Sequence, residues 1–306
     1  MSLLGALRGK GPNGFGYNTT AEEATAGVDL SGKRILLTGC NSGIGFETMR
    51  VLTERGATVL GAARSLEKAE KAGAKVNGET LPVVCELSEP ESVFAAAESV
   101  KAMGEKLDVI VCNAGIMALP KLNQQHGYEL QFFTNHIGHF ILVTELLDLL
   151  ADDGRVVMVS SEAHRQAPKE GIQFDNLSGE KGYTSWLAYG QSKLANILFA
   201  KELARRLEGT DKVANALHPG VINTNLARHM NSIVDVAMSA ISPIALKSIP
   251  QGAATQTYLA AHPDAAKFSG EYFSHCNPAR PTSKARDAAL ATKLWEKSEE
   301  IVAEFK

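Results

Sequence analysis

The strongest constraint on the fold is a regular alternation of short apolar runs with helical patterns. The runs are rich in β-branched residues and lack charged side chains at their centres, which is typical of strands buried on both faces. They span residues 34–38, 57–63, 81–86, 107–112, 155–161, 212–218 and 270–273. Strands of this kind, separated by helices, predict an α/β fold: a doubly wound parallel sheet with helices on both faces, in a single domain.

Helical patterns fill the intervals between these runs. A helix is predicted from Gly43 to about Arg55, and helical periodicity extends over residues 127–150. Ser88, followed three residues later by Glu91, predicts the N-cap of the helix after the third strand. A last amphipathic helix is expected near the C-terminus.

The first 32 residues are predicted to form an N-terminal arm, and residues 33–306 the main domain. Residues 1 to about 18 are rich in glycine and polar side chains, which predicts a flexible segment. Thr20 and Glu23 then form a capping-box pattern, so a short helix is expected to follow.

Composition excludes several classes of protein. The net charge is −3 and the charged residues are of mixed sign, which predicts no basic surface for nucleic acid. No run approaches 18 uncharged apolar residues, so no spanning helix is expected. The N-terminus also lacks the apolar core of a signal peptide. The chain is expected in the cytoplasm, with peripheral membrane association left open.

Neither cysteines nor histidines indicate a metal site. The four cysteines include no C-x-x-C pair, and Cys85 and Cys112 fall in predicted strands, so buried reduced thiols are expected. His136 and His139 are three residues apart but lack the glutamate of an H-E-x-x-H motif. They are interpreted as hydrogen-bonded helix histidines, and no metal is predicted.

A glycine-rich turn, "TGCNSGIG", joins the first strand to the first helix. Glycines allow a sharp turn and the close approach of a pyrophosphate, which the helix N-terminal N–H groups then face. A tight turn with no ligand is the alternative. The residues expected at the cofactor are Gly39, Asn41, Ser42, Gly43, Ile44 and Gly45.

The second strand ends at Arg64, where a site for NAD would carry an acidic residue for the ribose 2′-hydroxyl. An arginine suits a 2′-phosphate instead, so NADP(H) rather than NAD(H) is the expected cofactor. An ordinary exposed arginine is the alternative.

Tyr189 and Lys193 are four residues apart in the segment "WLAYGQSKLAN". In a helix these positions share a face, so the phenol and the ammonium point into the same space. We expect the ammonium to lower the pKa of the phenol and make it a better acid at neutral pH.

The ordered set of motifs resembles the classical short-chain dehydrogenases/reductases. The motifs are Thr38-Gly39-x-x-x-Gly43-Ile44-Gly45, Asn113-Ala114-Gly115, Asn135, Ser160-Ser161, Tyr189-x-x-x-Lys193 and Pro219-Gly220. The resemblance extends from about Lys33 to the C-terminus. "SSEAHR", "YGQSKLANILFAKELARRL" and "HPGVINTNL" further resemble the branch of retinol dehydrogenases and the WW-domain oxidoreductase. The N-terminal arm is similar to that of bacterial and plant plastid members.

This resemblance implies a Rossmann-type fold and hydride transfer between nicotinamide C4 and a carbonyl or alcohol carbon. Tyr189 would be the acid in reduction and the base in oxidation, and Lys193 would also hold the nicotinamide ribose. Ser161 would polarise the substrate oxygen, with Ser160 as the alternative. Asn135 would hold a proton-relay water.

The resemblance also implies the remaining cofactor contacts. The adenosine side would be formed by Glu86, Leu87, Asn113, Ala114 and Gly115. The nicotinamide side would be formed by Pro219, Gly220, Val221 and Thr224. Glu86 departs from the aspartate that is usual there, which puts its contact with adenine in doubt.

Residues 225–250 occupy the position of the family's substrate lid and are rich in apolar side chains. A lipophilic aldehyde, ketone or alcohol is therefore expected as substrate. A helix packed on the protein or a dimer contact is the alternative for this segment. Since family members are often dimers or tetramers, a homo-oligomer is compatible with the sequence.

The sequence thus predicts an NADP(H)-dependent oxidoreductase. Two other functions remain open. One is a non-catalytic NADP-binding sensor or scaffold, and the other is a lyase or epimerase on the same fold.

Overall fold

A computed structural model describes residues 9–222 and 246–306 of the chain. The strands in chain order are β1 (Arg34–Thr38), β2 (Thr58–Ala63), β3 (Thr80–Val84), β4 (Leu107–Cys112), β5 (Gln124–Gln125), β6 (Tyr128–Glu129), β7 (Leu150–Val159), β8 (Val213–His218), β9 (Tyr272–Ser274) and β10 (Asn277–Pro278). Eight of them form one sheet in the order β10-β9-β8-β7-β4-β1-β2-β3. Its neighbouring strands are parallel except β9 and β10, while β5 and β6 form a separate ribbon.

Helices cover both faces of this sheet. The α-helices are α1 (Ala21–Ala24), α2 (Gly43–Glu54), α3 (Leu66–Gly73), α4 (Pro90–Lys101), α5 (Leu130–Phe132), α6 (Gly138–Leu146), α7 (Ser185–Arg206), α8 (Ile249–Ala261) and α9 (Ala288–Ala303). Two apolar cores result, one on each face of the sheet. The predicted doubly wound single-domain fold is confirmed, and β1 and β4 have the predicted bounds.

Several predicted boundaries were wrong, among them the third strand, predicted over 81–86 and found at Thr80–Val84, and the differences are largest in residues 127–150 and in β7. The periodicity over 127–150 contains β6, α5, a π-helical turn at Phe133–Ile137 and then α6. Strand β7 starts earlier than predicted because Leu150 pairs with Leu107, and residues 151–154 bulge out before the regular register resumes. It ends at Val159, so both serines of the Ser160-Ser161 pair lie beyond the strand.

The start of α4 also differs from the prediction. Glu89, not Ser88, is its N-cap residue, and Pro90 occupies the first helical position. Proline is favoured there because its φ is already helical and its missing N–H would have no helical partner. The Ser88 hydroxyl donates to the Glu86 carboxylate instead, at 3.1 Å.

The N-terminal arm is packed over its described part, so the prediction of flexibility was wrong for residues 9–18. The Asn13 backbone N–H donates to Asn277 Oδ1 at 2.9 Å, and Phe15 lies edge-on to the Tyr258 ring. The predicted capping box is confirmed, since the Thr20 side chain accepts from Glu23 N and the Glu23 side chain accepts from Thr20 N. Helix α1 then packs on α8 and α2.

Helix α9 lies across α7 and α6 through an aromatic cluster. Trp295 stacks on Phe199 with 5.5 Å between ring centroids and meets Phe140 edge-on at 4.9 Å. The guanidinium of Arg206, the last residue of α7, lies 4.2 Å from the Trp295 ring centroid. The face of α6 and α7 that contacts Trp295 is therefore covered within the chain.

The four cysteines are free and buried, as predicted. Burial raises the pKa of the Cys85 thiol to about 12. Over the described ranges, no helix is both long and apolar enough to cross a membrane.

Buried histidines link stability to pH. Burial, with a smaller contribution from neighbouring His139, lowers the pKa of His136 to about 3, and its Nε2 lies 2.8 Å from Ser298 Oγ. Because folding lowers this pKa, the neutral ring stabilises the folded protein at pH values above its unfolded pKa, which is near 6.5. That stabilisation is lost as the pH falls towards the pKa of the folded state.

We therefore predict that His136→Gln weakens the acid sensitivity of folding. The loss of unfolding free energy between pH 7 and pH 5 should be about 2 kcal/mol smaller in the variant, because glutamine does not titrate. Denaturant titrations at the two pH values measure this difference. An unchanged loss would show that His136 is not held neutral.

Candidate active site

Six loops meet at one edge of the sheet, because the carboxyl ends of parallel strands share an edge. The segments that follow β1, β2, β3, β4, β7 and β8 contain most of the predicted site residues. Thr224 lies outside the described residues, as do residues 225–245 of the predicted lid region.

The glycine-rich turn is shaped by two close backbone approaches. Gly39 has a φ of +70°, a conformation that favours glycine. A Cβ on Gly45 would lie 2.2 Å from the Gly39 carbonyl oxygen and 2.5 Å from Asn113 Nδ2, so only glycine fits. Ser42 is the N-cap residue of α2 but makes no side-chain cap bond, which leaves the helix N–H groups available to a ligand.

The ends of β1 and β4 are clamped together by hydrogen bonds. Thr38 Oγ1 accepts from the backbone N–H groups of Asn113 at 2.9 Å and Ala114 at 3.0 Å. Asn113 Nδ2 donates to the Thr38 carbonyl at 2.8 Å, and its Oδ1 accepts from Gln256 Nε2 of α8 at 3.0 Å. Asn113 therefore braces the sheet and fixes the following Gly115.

Asn135 lies in the π-helical turn, a feature that is frequent at functional sites. Its Oδ1 accepts from Ile116 N at 2.8 Å, and its Nδ2 donates to Ile116 O and to Ser192 Oγ, each at 2.9 Å. The side chain thus joins the segment after β4 to helix α7. A Cβ on Gly115 would lie 2.9 Å from Asn135 Oδ1, so the glycine leaves room beside it.

Tyr189, Lys193 and Ser161 lie together at the end of β7. Lys193 Nζ donates to Val159 O at 3.0 Å and lies 5.8 Å from the centroid of the Tyr189 ring. Burial lowers the pKa of Lys193 to about 8. Burial raises the pKa of Tyr189 to about 12, and a hydrogen bond with Ser161 partly opposes this rise.

The Tyr189 pKa is thus raised where the sequence predicted a lowering by Lys193, because removing the phenol from water disfavours its charged form. At neutral pH this tyrosine keeps its proton.

The two serines after β7 have different surroundings. Ser160 is buried and its hydroxyl donates to Lys193 O at 2.6 Å, so it holds α7. Ser161 is less buried, accepts from Ala163 N and bonds with Tyr189. Ser161 rather than Ser160 thus lies beside the phenol.

The region predicted to bind the adenosine half of the cofactor contains more cations than Arg64, the one that the sequence indicated. Arg64 is 68% exposed, with its Nε 3.9 Å from the Glu86 carboxylate, and Leu87 is buried. A cleft of about 330 Å³ is bounded by Asn41, Ser42, Gly43, Phe46, Lys68, Lys71, Ala72 and Lys75.

The three lysines of this cleft belong to the stretch from α3 to the following turn. Within the described chain, neither Lys68 nor Lys75 has a carboxylate within ion-pair distance. Counted from Lys68, the three lysines are at i, i+3 and i+7, which is the spacing of one helix face and is visible in the sequence, and Lys75 lies in the turn after α3.

The loop predicted to contact the nicotinamide has a supporting residue that the sequence did not indicate. Pro219 precedes Gly220, which has a φ of +101°, and Val221 is 52% exposed. A Cβ on Gly220 would lie 2.6 Å from Cδ of Lys247, a residue that sequence reasoning missed. Lys247 is buried, and its backbone N–H donates to Val221 O at 2.8 Å, so it supports the loop that follows β8.

These residues fit a bound nicotinamide dinucleotide. The glycine turn leaves room for a pyrophosphate beside the N–H groups of α2, the buried Lys193 ammonium faces Gly115, and three lysines line the adjoining cleft. The fold and the site together define a nicotinamide-dependent oxidoreductase that acts on a small molecule.

Comparison with known proteins agrees with this class. The family model described as short chain dehydrogenase matches residues 33–234. The chain belongs to the short-chain dehydrogenase/reductase family, in the branch that includes the retinol dehydrogenases.

Relatives match along almost the whole chain. It is 39% identical to Short-chain dehydrogenase TIC 32 B, chloroplastic, from Brassica napus, over 99% of both chains. It is 40% identical to Retinol dehydrogenase 12 from Mus musculus, over 91% of this chain and 89% of the relative. A crystal structure of an uncharacterised Mycobacterium Paratuberculosis protein matches with TM-score 0.75 and 34% identity, over 92% of this chain and 97% of that one.

Proposed function

We propose that the protein is an NADP(H)-dependent oxidoreductase that transfers hydride between nicotinamide and a carbonyl or alcohol carbon. The observation that carries this proposal is the buried pair of Tyr189 and Lys193, with Ser161 bonded to the phenol and the ammonium beside Gly115. A phenol with a hydroxyl and an ammonium close to it forms a proton-donating site.

Tyr189 acts as the general acid when a carbonyl is reduced. Its raised pKa keeps the proton on the phenol at neutral pH, so the donor form is fully populated. Ser161 donates a hydrogen bond to the substrate oxygen and polarises the carbonyl. As the proton leaves Tyr189 Oη for that oxygen, the nearby Lys193 ammonium stabilises the phenolate.

The bound cofactor supplies the hydride, and residues of this chain hold it. The glycine turn with Asn41, Ser42 and Ile44 faces the pyrophosphate, and Lys193 holds the nicotinamide ribose. The adenosine side is formed by Glu86, Leu87, Asn113, Ala114 and Gly115. The nicotinamide side is formed by Pro219, Gly220 and Val221, and Asn135 fixes the segment after Gly115 and holds the proton-relay water.

We predict that Tyr189→Phe abolishes turnover while leaving NADPH affinity near the wild-type value. Loss of general acid catalysis reduces kcat by at least about 100-fold. Nicotinamide absorbance measures the rate, and quenching of protein fluorescence measures binding of NADPH.

Tyr128→Phe is the matched control, because the Tyr128 hydroxyl bonds Glu304 at the surface. This variant should keep wild-type kcat. Wild-type rates in Tyr189→Phe would remove the phenol from the reaction.

Selectivity for NADP(H) is supported by the cations beside the glycine turn. Arg64 follows the end of β2, and Lys68 lies in the first turn of α3, where it lines the cleft at residues 41–43. A 2′-phosphate there would meet several positive charges, whereas the 2′-hydroxyl of NAD would find no acidic partner except Glu86.

We predict that Arg64→Ala combined with Lys68→Ala weakens NADPH binding by about 10- to 100-fold and leaves NADH binding unchanged. Two charge-assisted contacts to the 2′-phosphate would account for that loss. Titration with both cofactors measures it. Lys106→Ala, at the opposite end of β4, is the control and should bind both as wild type does. Equal losses for NADH and NADPH would contradict the assignment.

A lipophilic substrate is supported by the apolar surroundings of the acid. Trp186 is 40% exposed and lies edge-on to the Tyr189 ring, with 6.1 Å between centroids. The segment after Gly115 is also apolar, and Tyr183 fixes it by donating to Leu119 O at 2.6 Å. The printed name of the retinol dehydrogenase relative agrees with such a substrate.

We predict that the protein reduces decanal with a KM at least about tenfold below that for glyceraldehyde, since apolar burial favours the longer chain. Trp186→Ala should raise the KM for decanal and leave that for glyceraldehyde unchanged. Exclusive turnover of glyceraldehyde would contradict a lipophilic substrate.

The same assay separates the two alternative functions. A sensor or scaffold would bind NADPH without consuming it, and a lyase or epimerase would convert substrate with no net change in nicotinamide absorbance. The buried phenol and ammonium argue against a sensor, because binding alone does not require a positioned proton donor.

We propose division of the chain into an arm, residues 1–32, and a catalytic domain, residues 33–306. A cytoplasmic location also remains a proposal, and cell fractionation tests it.

A homo-oligomer would have to use surfaces other than the face of α6 and α7 that α9 covers.

A further inference from the structure

His139 is a buried polar residue that the proposed reaction does not use. It lies in the first turn of α6 and has no measurable exposure to solvent. Its Nδ1 is 3.0 Å from the backbone oxygen of Asn135, and its Nε2 is 2.9 Å from Thr38 Oγ1. The His139 ring therefore bridges the π-helical turn that contains Asn135 and the end of β1.

The partners of His139 define its tautomer. A carbonyl oxygen only accepts, so Nδ1 carries the proton and donates it to Asn135 O. Thr38 Oγ1 already accepts from the N–H groups of Asn113 and Ala114, so its own proton points to Nε2. A second proton on the ring would face an oxygen whose lone pairs are both occupied.

The surroundings keep the ring in this neutral form. Burial lowers the pKa of His139 to about 4, and the positive charge of Lys193 adds to this effect, while the bond to Asn135 opposes it. The ring can therefore serve as a donor on one side and an acceptor on the other throughout the neutral pH range.

The ring completes a continuous hydrogen-bonded path beneath the site. Asn135 bonds Ser192 of α7 through its side chain and His139 through its backbone. Thr38 then connects His139 to the turn that leads into Gly115. In this path His139 joins the π-helical turn that contains Asn135 to the turn at residues 113–115, which lies beside the predicted cofactor site.

We propose that His139 is a positioning residue that holds Asn135 and the Asn113–Gly115 turn in register. This inference rests on the proposed function, because it assigns His139 to the alignment of that site. Its bond to Asn135 supports the rate of reaction, and its bond to Thr38 supports the cofactor-binding turn.

Two variants each preserve one of these bonds. In His139→Asn the amide nitrogen can reach the position of Nδ1, which keeps the contact with Asn135 O and removes the one with Thr38. In His139→Gln the amide oxygen can reach the position of Nε2, which keeps the acceptor for Thr38 and removes the donor to Asn135.

The two variants should therefore fail in different ways. His139→Asn should weaken NADPH binding by about tenfold with a smaller change in kcat, and His139→Gln should lower kcat by about tenfold with NADPH affinity preserved. The Kd for NADPH comes from fluorescence titration and kcat from reduction of decanal. Tyr128→Phe is again the control, because its hydroxyl bonds Glu304 at the surface, and it should keep the wild-type Kd and kcat.

A role in packing alone would lower the melting temperature of both His139 variants and leave kcat and Kd of the folded protein unchanged. That result, or equal changes of kcat and Kd in the two variants, would overturn the proposal. The NADPH titration does not depend on turnover, so it tests His139 even if Tyr189→Phe were active and the proposed reaction were wrong.

Discussion

The site depends on one buried ammonium group. Lys193 is 4% exposed, and no carboxylate of the described chain lies within ion-pair distance of it. A buried cation requires acceptors or a ligand to offset its lost hydration, and here the Val159 carbonyl supplies one acceptor. Helix α7, the end of β7 and the turn at Gly115 are arranged around this charge. Burial lowers the pKa of this ammonium to about 8, because its charged form loses hydration.

The parallel sheet brings the functional segments to one edge, and polar residues beneath that edge set their relative positions. Thr38, Asn113 and Asn135 each bond to two segments that are distant in the chain. Because every donor and acceptor in this path has a defined partner, the segments cannot shift independently. Pre-positioning of this kind reduces the reorganisation needed when a substrate oxygen gains a proton from Tyr189.

Much of this arrangement could be predicted from the sequence, because short motifs encode it. The glycine turn and the Tyr189–Lys193 pair are local patterns, and the apolar runs indicate where the parallel strands lie along the chain. The sign of the Tyr189 pKa shift could not be predicted, since it depends on burial by the whole fold. The packing of residues 9–18 and the support of Gly220 by Lys247 arise from contacts between distant segments. The lysines of α3, by contrast, follow a helix-face spacing that the sequence displays.

A crystal structure of the protein with NADPH and a carbonyl inhibitor would test the central claim most directly. The account predicts that the inhibitor oxygen lies within hydrogen-bond distance of both Tyr189 Oη and Ser161 Oγ, with Lys193 Nζ on the nicotinamide ribose. A dinucleotide bound elsewhere, or a Tyr189 hydroxyl that remains buried away from the inhibitor, would contradict it.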